Sequence, residues 1–143
     1  MVPAVYWLHT ILAIQDENHF WFIIKFMLPK LKALFFAQPG SEPPVQPVRN
    51  WLHSLTDLER REIGGDIQSV QYGWPLGLPL VRHLQGDLWE VRTSLPNRIA
   101  RVIFAVRADT MYLLHGFIKT TQKTPLDDLK LAHKRWQLLT HNA

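Results

Sequence analysis

The sequence predicts an α+β fold, in which a helical hairpin packs on a small antiparallel sheet and a further helix forms the C-terminal part. Two capping boxes, Thr56–Glu59 and Thr124–Asp127, mark helix starts, because a Thr hydroxyl and an acidic side chain three residues later satisfy free backbone amides. Three apolar segments of strand length are separated by connections of two or three residues, which suit β-hairpins. The chain of 143 residues has the size of one domain. The predicted order of one strand, two helices, three strands and a helix is that of an α+β domain.

The first half of the chain is predicted to hold one strand and two helices. Leu31–Phe36 is rich in bulky apolar residues that alternate weakly, which favours a strand. Four prolines and a glycine within residues 38–47 indicate a loop. The first helix is short and carries apolar residues at helical spacing: Val48, Trp51, Leu52 and Leu55. The second helix starts at the Thr56–Glu59 capping box and carries the apolar stripe Ile63, Ile67 and Val70.

The second half is predicted to hold three strands and the C-terminal helix. The strands are Leu88–Thr93, Arg98–Arg107 and Thr110–Lys119. Pro125 at the first helical position strengthens the helix start at Thr124, and the helix extends toward Thr140. Its buried stripe follows from helical spacing: Leu126, Leu129, His133 or Ala132, Trp136 and Leu139.

Residues 1–26 do not fit the domain that follows, which we assign to residues 27–143. Two apolar runs, Val5–Ile14 and Phe20–Ile24, are each too short to span a bilayer, and the charged residues between them would be costly inside one. No basic segment precedes the first run and no small-residue cleavage site follows it, so a secretory signal is not expected. Our first hypothesis is that Met27 is the biological start of the protein. The alternative is an amphipathic extension that packs on the domain or on a partner.

The positive charge of the chain is concentrated in its C-terminal part. Residues 87–143 hold nine Lys+Arg and five acidic residues, whereas residues 1–86 hold seven of each, so the whole formal net charge of +4 lies in the later segment. Such a segment attracts a polyanion such as RNA, although a solvated surface with an accidental imbalance would give the same count. The chain has no cysteine, which excludes disulfides and thiolate metal sites and is compatible with a reducing cytoplasm. Neither a Gly-rich phosphate loop nor a metal-ligand spacing is found, so no cofactor and no metal are expected.

Alternation along the predicted strands places cationic side chains on one face of the sheet. If the helical hairpin covers the opposite face, these side chains line an open, partly concave surface. That surface would carry Arg92, Arg101, His115 and Lys119, with Lys123 reaching it from the loop before the last helix. Within the last predicted strand, the residues expected to share one side are Leu113, His115, Phe117 and Lys119.

A surface of this kind suits the cleavage of RNA without a metal. The reaction needs a group that removes the 2′-OH proton, groups that stabilise negative charge at phosphorus, and a group that protonates the leaving 5′-oxygen. Arg and Lys can stabilise the charge, and His is the side chain best matched to proton transfer near neutral pH. His115 lies in an apolar strand, so a packed, hydrogen-bonded role competes with a catalytic one. Glu90 is either a general base or the ion-pair partner of a neighbouring arginine, and His83 could approach the same face.

Two segments of the chain carry a resemblance to a known family: Leu84 to Arg92, LQGDLWEVR, and Leu113 to Pro125, LLHGFIKTTQKTP. With them the chain resembles, over most of its length, the HigB/RelE superfamily of toxins from bacterial type II toxin–antitoxin pairs. The phage-derived HigB-like branch is nearest, since its members typically read "L.G.LWE.R" and then "LLHGF.K.TQKTP". The resemblance implies the RelE/ParE fold, which agrees with the fold that the sequence pattern predicts.

The resemblance also implies an activity and the residues that carry it. Toxins of this kind cut mRNA on the ribosome and arrest translation and growth, and RelE-like members use basic residues in place of a conventional acid–base pair. The family's basic residue on the second strand matches Arg92, the arginine that opens the next strand matches Arg101, and the lysines of the second motif match Lys119 and Lys123. The position two before Arg92 is often basic in RelE and is Glu90 here. We find no clear counterpart of the tyrosine near the start of the last helix, so the acid–base assignment is open.

The partners that the resemblance implies are a cognate antitoxin, typically of helix-turn-helix type, then mRNA and the ribosome, and operator DNA through the antitoxin. These partners imply a protein that acts in the cytoplasm and has no membrane partner. Two other functions are also considered: a ParE-like toxin that inhibits DNA gyrase and cuts no RNA, and a non-catalytic prophage module that only binds a partner. Arg101 and the lysine motif argue against the first, whereas Glu90 and the N-terminal extension are compatible with the second.

Overall fold

The computed structural model describes residues 27–119 and 124–141. The expectations for residues 1–26 and for Lys123 lie outside the described residues. The elements in chain order are β1 (Lys32–Phe35), α1 (Pro47–His53), α2 (Asp57–Gly73), β2 (Val81–Gln85), β3 (Leu88–Leu95), β4 (Arg98–Arg107), β5 (Thr110–Lys119) and α3 (Leu126–His141). This order confirms the predicted α+β class with a C-terminal helix.

The strands form one mixed sheet in the order β1-β5-β4-β3-β2. The four strands from β2 to β5 pair with antiparallel neighbours, whereas β1 runs parallel to β5, with Lys32 opposite Thr110. The expectation of a purely antiparallel sheet is therefore corrected at this one edge. A parallel pair requires a long crossover, and the two helices and three strands between β1 and β5 supply it.

The strand β2 was not predicted from the sequence. Its apolar residues Val81 and Leu84 are separated by Arg82 and His83, so the segment lacks the alternation by which a strand is recognised. It becomes a strand because a tight turn folds it back on β3. Gly86 in that turn has φ +57, a left-handed conformation that glycine adopts without strain.

A β-bulge in β5 decides which face its side chains occupy. Ile103 lies opposite His115 while the next residue, Phe104, lies opposite Leu113, so Leu114 is the extra residue. An extra residue reverses the alternation, which puts Leu113 and His115 on opposite faces of the sheet. The prediction that Leu113 shares a side with His115, Phe117 and Lys119 is thus wrong for Leu113, and the other three residues share one face.

The sheet is covered on both faces. Helices α1 and α2 pack on one face over a core that includes Ile63, Val70, Val91, Val102, Phe104 and Met111. Helix α3 packs on the other face over Phe36, Leu88, Ile103, Ala105, Leu114, Ala132 and Trp136. The face that was expected to be open is therefore covered by α3 along part of its length, because the apolar stripe of α3 must also be buried. Its polar side chains are gathered at the end of the sheet near the start of α3.

Local sequence signals set the helices. The Thr56 hydroxyl accepts a hydrogen bond from the Glu59 amide at 3.2 Å, and the Glu59 carboxylate accepts one from the Thr56 amide at 3.1 Å, which confirms the predicted capping box of α2. Helix α3 buries Ala132 and Trp136 as predicted, but Leu126 is 62% exposed. In the part of the chain that the structure describes, no helix has the length and apolar character needed to cross a bilayer.

Candidate functional site

A group of four cationic side chains lies on the α3 face of the sheet, at the end where α3 begins. Arg92 on β3 lies directly opposite Arg101 on β4, and Arg82 on β2 lies opposite Glu90 on β3. Residues opposite each other in an antiparallel pair share a face, so the three strands present these side chains together. Lys119 joins them from the end of β5, close enough for Arg101, Arg82 and Glu90 to act on its charge. We call Arg82, Arg92, Arg101 and Lys119 the cation cluster.

Glu90 is the carboxylate at the centre of this cluster, and both of its oxygens are engaged. Arg101 Nη1 donates to Glu90 Oε1 at 3.2 Å, and Thr124 Oγ1, just before α3, donates to Glu90 Oε2 at 2.8 Å. The exposed fractions of the Arg101 and Glu90 side chains are 1% and 0%. The sequence left two interpretations of Glu90, a general base or the ion-pair partner of an arginine, and the structure contains the ion pair. The expectation of an open surface is wrong at these two residues, because neighbouring strands and the residues leading into α3 enclose them.

Lys119 is a buried ammonium group without a matched partner. It is 6% exposed, and its Nζ has no hydrogen-bond acceptor among the described residues. Burial lowers the pKa of Lys119, and repulsion from Arg101 lowers it further, while attraction to Glu90 opposes the shift. A lysine in this setting releases its proton more readily than an exposed lysine does.

The arginines of the cluster hold their charge in the same confined space. Burial lowers the pKa of Arg101, Glu90 opposes that effect, and Arg92 and Arg82 lower the pKa further by repulsion. Arginine nevertheless stays protonated in proteins, so Arg101 keeps its charge. Arg92 is half-buried, its Nε has no hydrogen-bond partner among the described residues, and it lines a groove of about 330 Å³ at the edge of the sheet. The cluster thus reaches the surface at Arg92.

His115 lies on the same face but is engaged at both ring nitrogens. Its Nε2 is 2.6 Å from Asp128 Oδ1 on α3, its Nδ1 is 3.4 Å from Arg135 Nη1, and its ring stacks on Phe117 with centroids 5.3 Å apart. Arginine can only donate, so we assign the acceptor role to Nδ1 and the proton to Nε2, which donates to Asp128. Burial lowers the pKa of His115; the hydrogen bond and charge of Asp128 oppose the shift, and Arg135 adds to it. This geometry favours a packed, hydrogen-bonded histidine over a proton-transfer group.

Three residues of this site were missed by the sequence reasoning, and all lie in α3 or just before it. Thr124 was interpreted only as a helix cap, but its hydroxyl donates to Glu90. Asp128 holds His115, and Arg135 Nη1 donates to the backbone oxygen of Leu114, the bulge residue, at 2.8 Å. The signal was present in the spacing, because positions 124, 128 and 135 fall on one side of a helix, beside its buried stripe. Polar residues at that position could have been recognised as partners of buried groups on the sheet.

His83 does not join the cation cluster. It lies opposite Trp89 in the β2–β3 pair, and its ring meets the Trp89 ring with centroids 4.6 Å apart. Trp89 in turn meets Trp74 edge-on in the core beneath α1 and α2, on the opposite face from Arg92. The suggestion that His83 could approach the cationic face is therefore wrong. Lys123 remains outside the described residues, so its place relative to the cluster is still a prediction.

The site contains the groups for binding and reacting with an anion. Glu62 and Asp66 of α2 line the groove at Arg92. The two buried cations, however, Arg101 and Lys119, meet one buried carboxylate, Glu90, so positive charge is in excess among the buried groups of the site. An ammonium group that cannot be solvated by water or paired with protein is costly, and a phosphate would supply the missing acceptors. No group of three or more His, Cys, Asp or Glu side chains within the described residues is arranged to hold a metal ion.

Comparison with known proteins identifies the family. A search of the curated proteins found no match. Residues 50–137, more than half of the chain, match the family described as Phage derived protein Gp49-like (DUF891). The matched segment runs from α1 into the last turns of α3 and includes all four residues of the cation cluster. The chain therefore belongs to the Gp49-like family of phage-derived proteins, a RelE/ParE-like toxin family.

Proposed function

We propose that this protein is the toxin of a type II toxin–antitoxin pair and that it is an endoribonuclease, of the HigB-like kind, that cuts mRNA on the ribosome. The observation that carries the proposal is the buried excess of positive charge around Lys119. Its ammonium group is buried and has no hydrogen-bond acceptor among the described residues. Membership of a RelE/ParE-like family supports the assignment to a toxin, and the cation cluster supports RNA as its target.

In the proposed reaction the scissile phosphate lies against Arg92, where the cation cluster reaches the surface, and against Lys119, with the buried Arg101 behind them. The 2′-oxygen of one nucleotide attacks the adjacent phosphorus, the bond from phosphorus to the 5′-oxygen breaks, and a 2′,3′-cyclic phosphate and a free 5′-hydroxyl result. Negative charge builds up on the phosphoryl oxygens as the new bond forms. Arg92 and Arg101 stabilise that charge, because fixed cations in a site of low polarity act strongly on charge that develops in the transition state.

Lys119 is the proton donor that we propose for the leaving 5′-oxygen. Its lowered pKa makes the ammonium a stronger acid than an exposed lysine, and it has no competing hydrogen bond among the described residues. The proton of the 2′-OH must pass to a second group, and our candidate is Lys123 from the matched lysine motif, which would have to act as its neutral amine because an ammonium group cannot accept a proton. In this scheme Glu90 and His115 are positioning residues, since Glu90 orients Arg101 and His115 connects β5 to α3 through Asp128.

The ribosome would supply the rigid placement of the mRNA, which accounts for a large share of the rate in reactions of this kind. The natural partner would be a small cognate antitoxin of helix-turn-helix type, which binds operator DNA and brings the toxin with it. The protein would act in the cytoplasm, where ribosomes and mRNA are found.

The proposal is tested by inducing the full chain and mapping the 5′ ends of a reporter mRNA by primer extension. New 5′ ends within the translated region, together with growth arrest, are expected for the unmutated protein. Lys119→Met and Arg92→Gln should each reduce cleavage on the order of 10²-fold, the typical effect of removing one proton-transfer or charge-stabilising group. Arg61→Gln is the matched control, because Arg61 is an exposed cation on α2, away from the cluster.

Other outcomes would contradict the proposal in distinct ways. Growth arrest with intact transcripts and relaxed plasmid DNA would indicate a ParE-like gyrase inhibitor. Normal growth with a folded, expressed protein would indicate a partner-binding module without catalysis. Thermal melts of each variant show whether a loss of cleavage comes from loss of the fold.

A further inference from the structure

A second feature of the molecule is a groove between α3 and the β2–β3 turn, apart from the cation cluster. It has a volume of about 420 Å³, and its apolar lining consists of Leu88, Leu126, Leu129 and Trp136. Leu88 at the start of β3 is four residues from Arg92, a distance of roughly 13 Å along a strand. A molecule bound in the groove would therefore leave the phosphate-binding residues accessible.

The rim of the groove is basic. Lys130 and Lys134 lie four residues apart on one side of α3, are exposed, and form no ion pair within the described residues. Like charges at this spacing destabilise a helix, and no ion pair among the described residues offsets that repulsion. The acidic residue of the groove, Asp87, accepts a hydrogen bond from Trp136 Nε1 at 3.2 Å, which holds the Trp136 side chain in place in the lining of the groove.

We propose that this groove binds an acidic, amphipathic peptide segment of a partner protein. Apolar side chains of the segment would cover Leu126 and Leu129, and its carboxylates would pair with Lys130 and Lys134. Leu126 is 62% exposed, and an exposed leucine beside two lysines that form no ion pair with the described residues matches the pattern of an apolar centre with a charged rim. A volume of about 420 Å³ is at the lower end of the range for ligand pockets, which suits a few side chains of a peptide.

The lining favours a peptide over RNA. Single-stranded RNA is bound by aromatic rings on which bases can stack, whereas the exposed lining here is leucine and the Trp136 ring is almost fully buried. The inference of a peptide ligand depends on the groove alone. The further assignment of that peptide to the cognate antitoxin rests on the proposed function.

The test is a selection of peptides from a phage-displayed random library on the full chain, made by cell-free synthesis. We expect the selected peptides to combine Asp or Glu with large apolar residues at helical spacing. Measured by fluorescence anisotropy, their affinity should fall roughly tenfold in the double variant Lys130→Glu/Lys134→Glu, because each change replaces an attraction by a repulsion. Leu126→Ser should also weaken binding. The matched control, Arg49→Glu/Arg61→Glu, has the same net charge and should bind as the unmutated chain does.

Three outcomes would overturn the proposal: no enriched peptide, enriched peptides without acidic residues, or equal binding to the two double variants. Displacement of the peptides by a short single-stranded oligoribonucleotide that also requires Lys130 and Lys134 would assign the groove to RNA instead. The selection does not depend on mRNA cleavage, so its failure leaves the proposed function standing. Conversely, a failure to cleave mRNA would leave the peptide groove intact and would only remove its assignment to an antitoxin.

Discussion

Replacing Lys119 by Met is expected to stabilise the folded protein while it removes the proposed activity. The lysine is 6% exposed and its ammonium group has no hydrogen-bond acceptor among the described residues, so the fold bears the cost of removing a charge from water. Methionine has a similar length and flexibility and contributes no charge. Leaving a buried polar group unsatisfied costs about 1–3 kcal/mol, and Glu90 recovers part of that cost here. We therefore expect the free energy of unfolding to rise by about 1–2 kcal/mol.

Urea unfolding followed by tryptophan fluorescence measures this change directly. In a thermal melt the same change corresponds to an increase of about 3–8 °C in Tm for a domain of this size. Lys134→Met is the matched control, because Lys134 is exposed on α3 and its replacement should change stability by less than about 0.5 kcal/mol. Inorganic phosphate should raise the Tm of the unmutated protein and have a smaller effect on the Lys119→Met variant, since ligand binding to the folded state stabilises it. A Lys119→Met variant that is less stable than the unmutated protein would refute the view that Lys119 is buried at a cost.

The remaining predictions concern the sheet and His115. Gly116→Ala should destabilise the protein by about 1–3 kcal/mol in urea unfolding, because the added methyl group would overlap the Trp51 ring, whereas Gly64→Ala on α2 meets no atom and should stabilise by about 0.5–1 kcal/mol. The folded state lowers the pKa of His115, so the unfolded chain binds the proton more readily and stability should be lost as pH falls through the ordinary value of 6.5. Urea midpoints measured at pH values above and below 6.5 check this prediction. His115→Gln should make the midpoint depend less on pH in that range. Asp128→Asn should lower the pKa of His115 further in an NMR titration, because in the unmutated protein the Asp128 carboxylate opposes the lowering.

Each of these predictions has an outcome that would contradict it. Equal stabilities of the two glycine variants would mean that β5 does not approach α1 at Gly116 as closely as described. A stability that is constant between neutral pH and the onset of carboxylate protonation would show that His115 takes up its proton in the folded state as easily as in the unfolded chain. An unchanged or raised pKa in Asp128→Asn would remove Asp128 as its partner. The pH effect is separable from that of Glu59, whose pKa is lowered from 4.5, mainly by Arg98, so that its contribution is lost only at lower pH.

Much of the fold could be predicted because its signals are local. The Thr56–Glu59 capping box places the start of α2, since the hydrogen bonds that define it join residues three apart. The bounds of β4 and β5 agree with the predicted strands, because long apolar runs with short turns between them leave few other arrangements. β2 could not be predicted, since its pairing with β3 and not its own composition makes it a strand.

The candidate site shows the same division. The residue types and the face of Arg92, Arg101 and Lys119 followed from strand alternation, and their grouping is as expected. What could not be predicted is that Arg101 is buried against Glu90, because burial depends on neighbouring strands and on the residues leading into α3. The role of His115 also depends on distant residues, since the bulge at Leu114 turns it toward α3.

By itself, then, the sequence determined the α+β class, the positions of most helices and strands, the concentration of cations in the last part of the chain and the motifs that point to a toxin. These properties depend on the order of residues over short distances. The tertiary structure alone decided that β1 closes the sheet in parallel with β5, that α3 covers part of the polar face, and that Lys119 is buried with no hydrogen-bond acceptor among the described residues. These three features depend on contacts between segments far apart in the chain, where packing and desolvation, rather than local propensity, determine the free energy of folding.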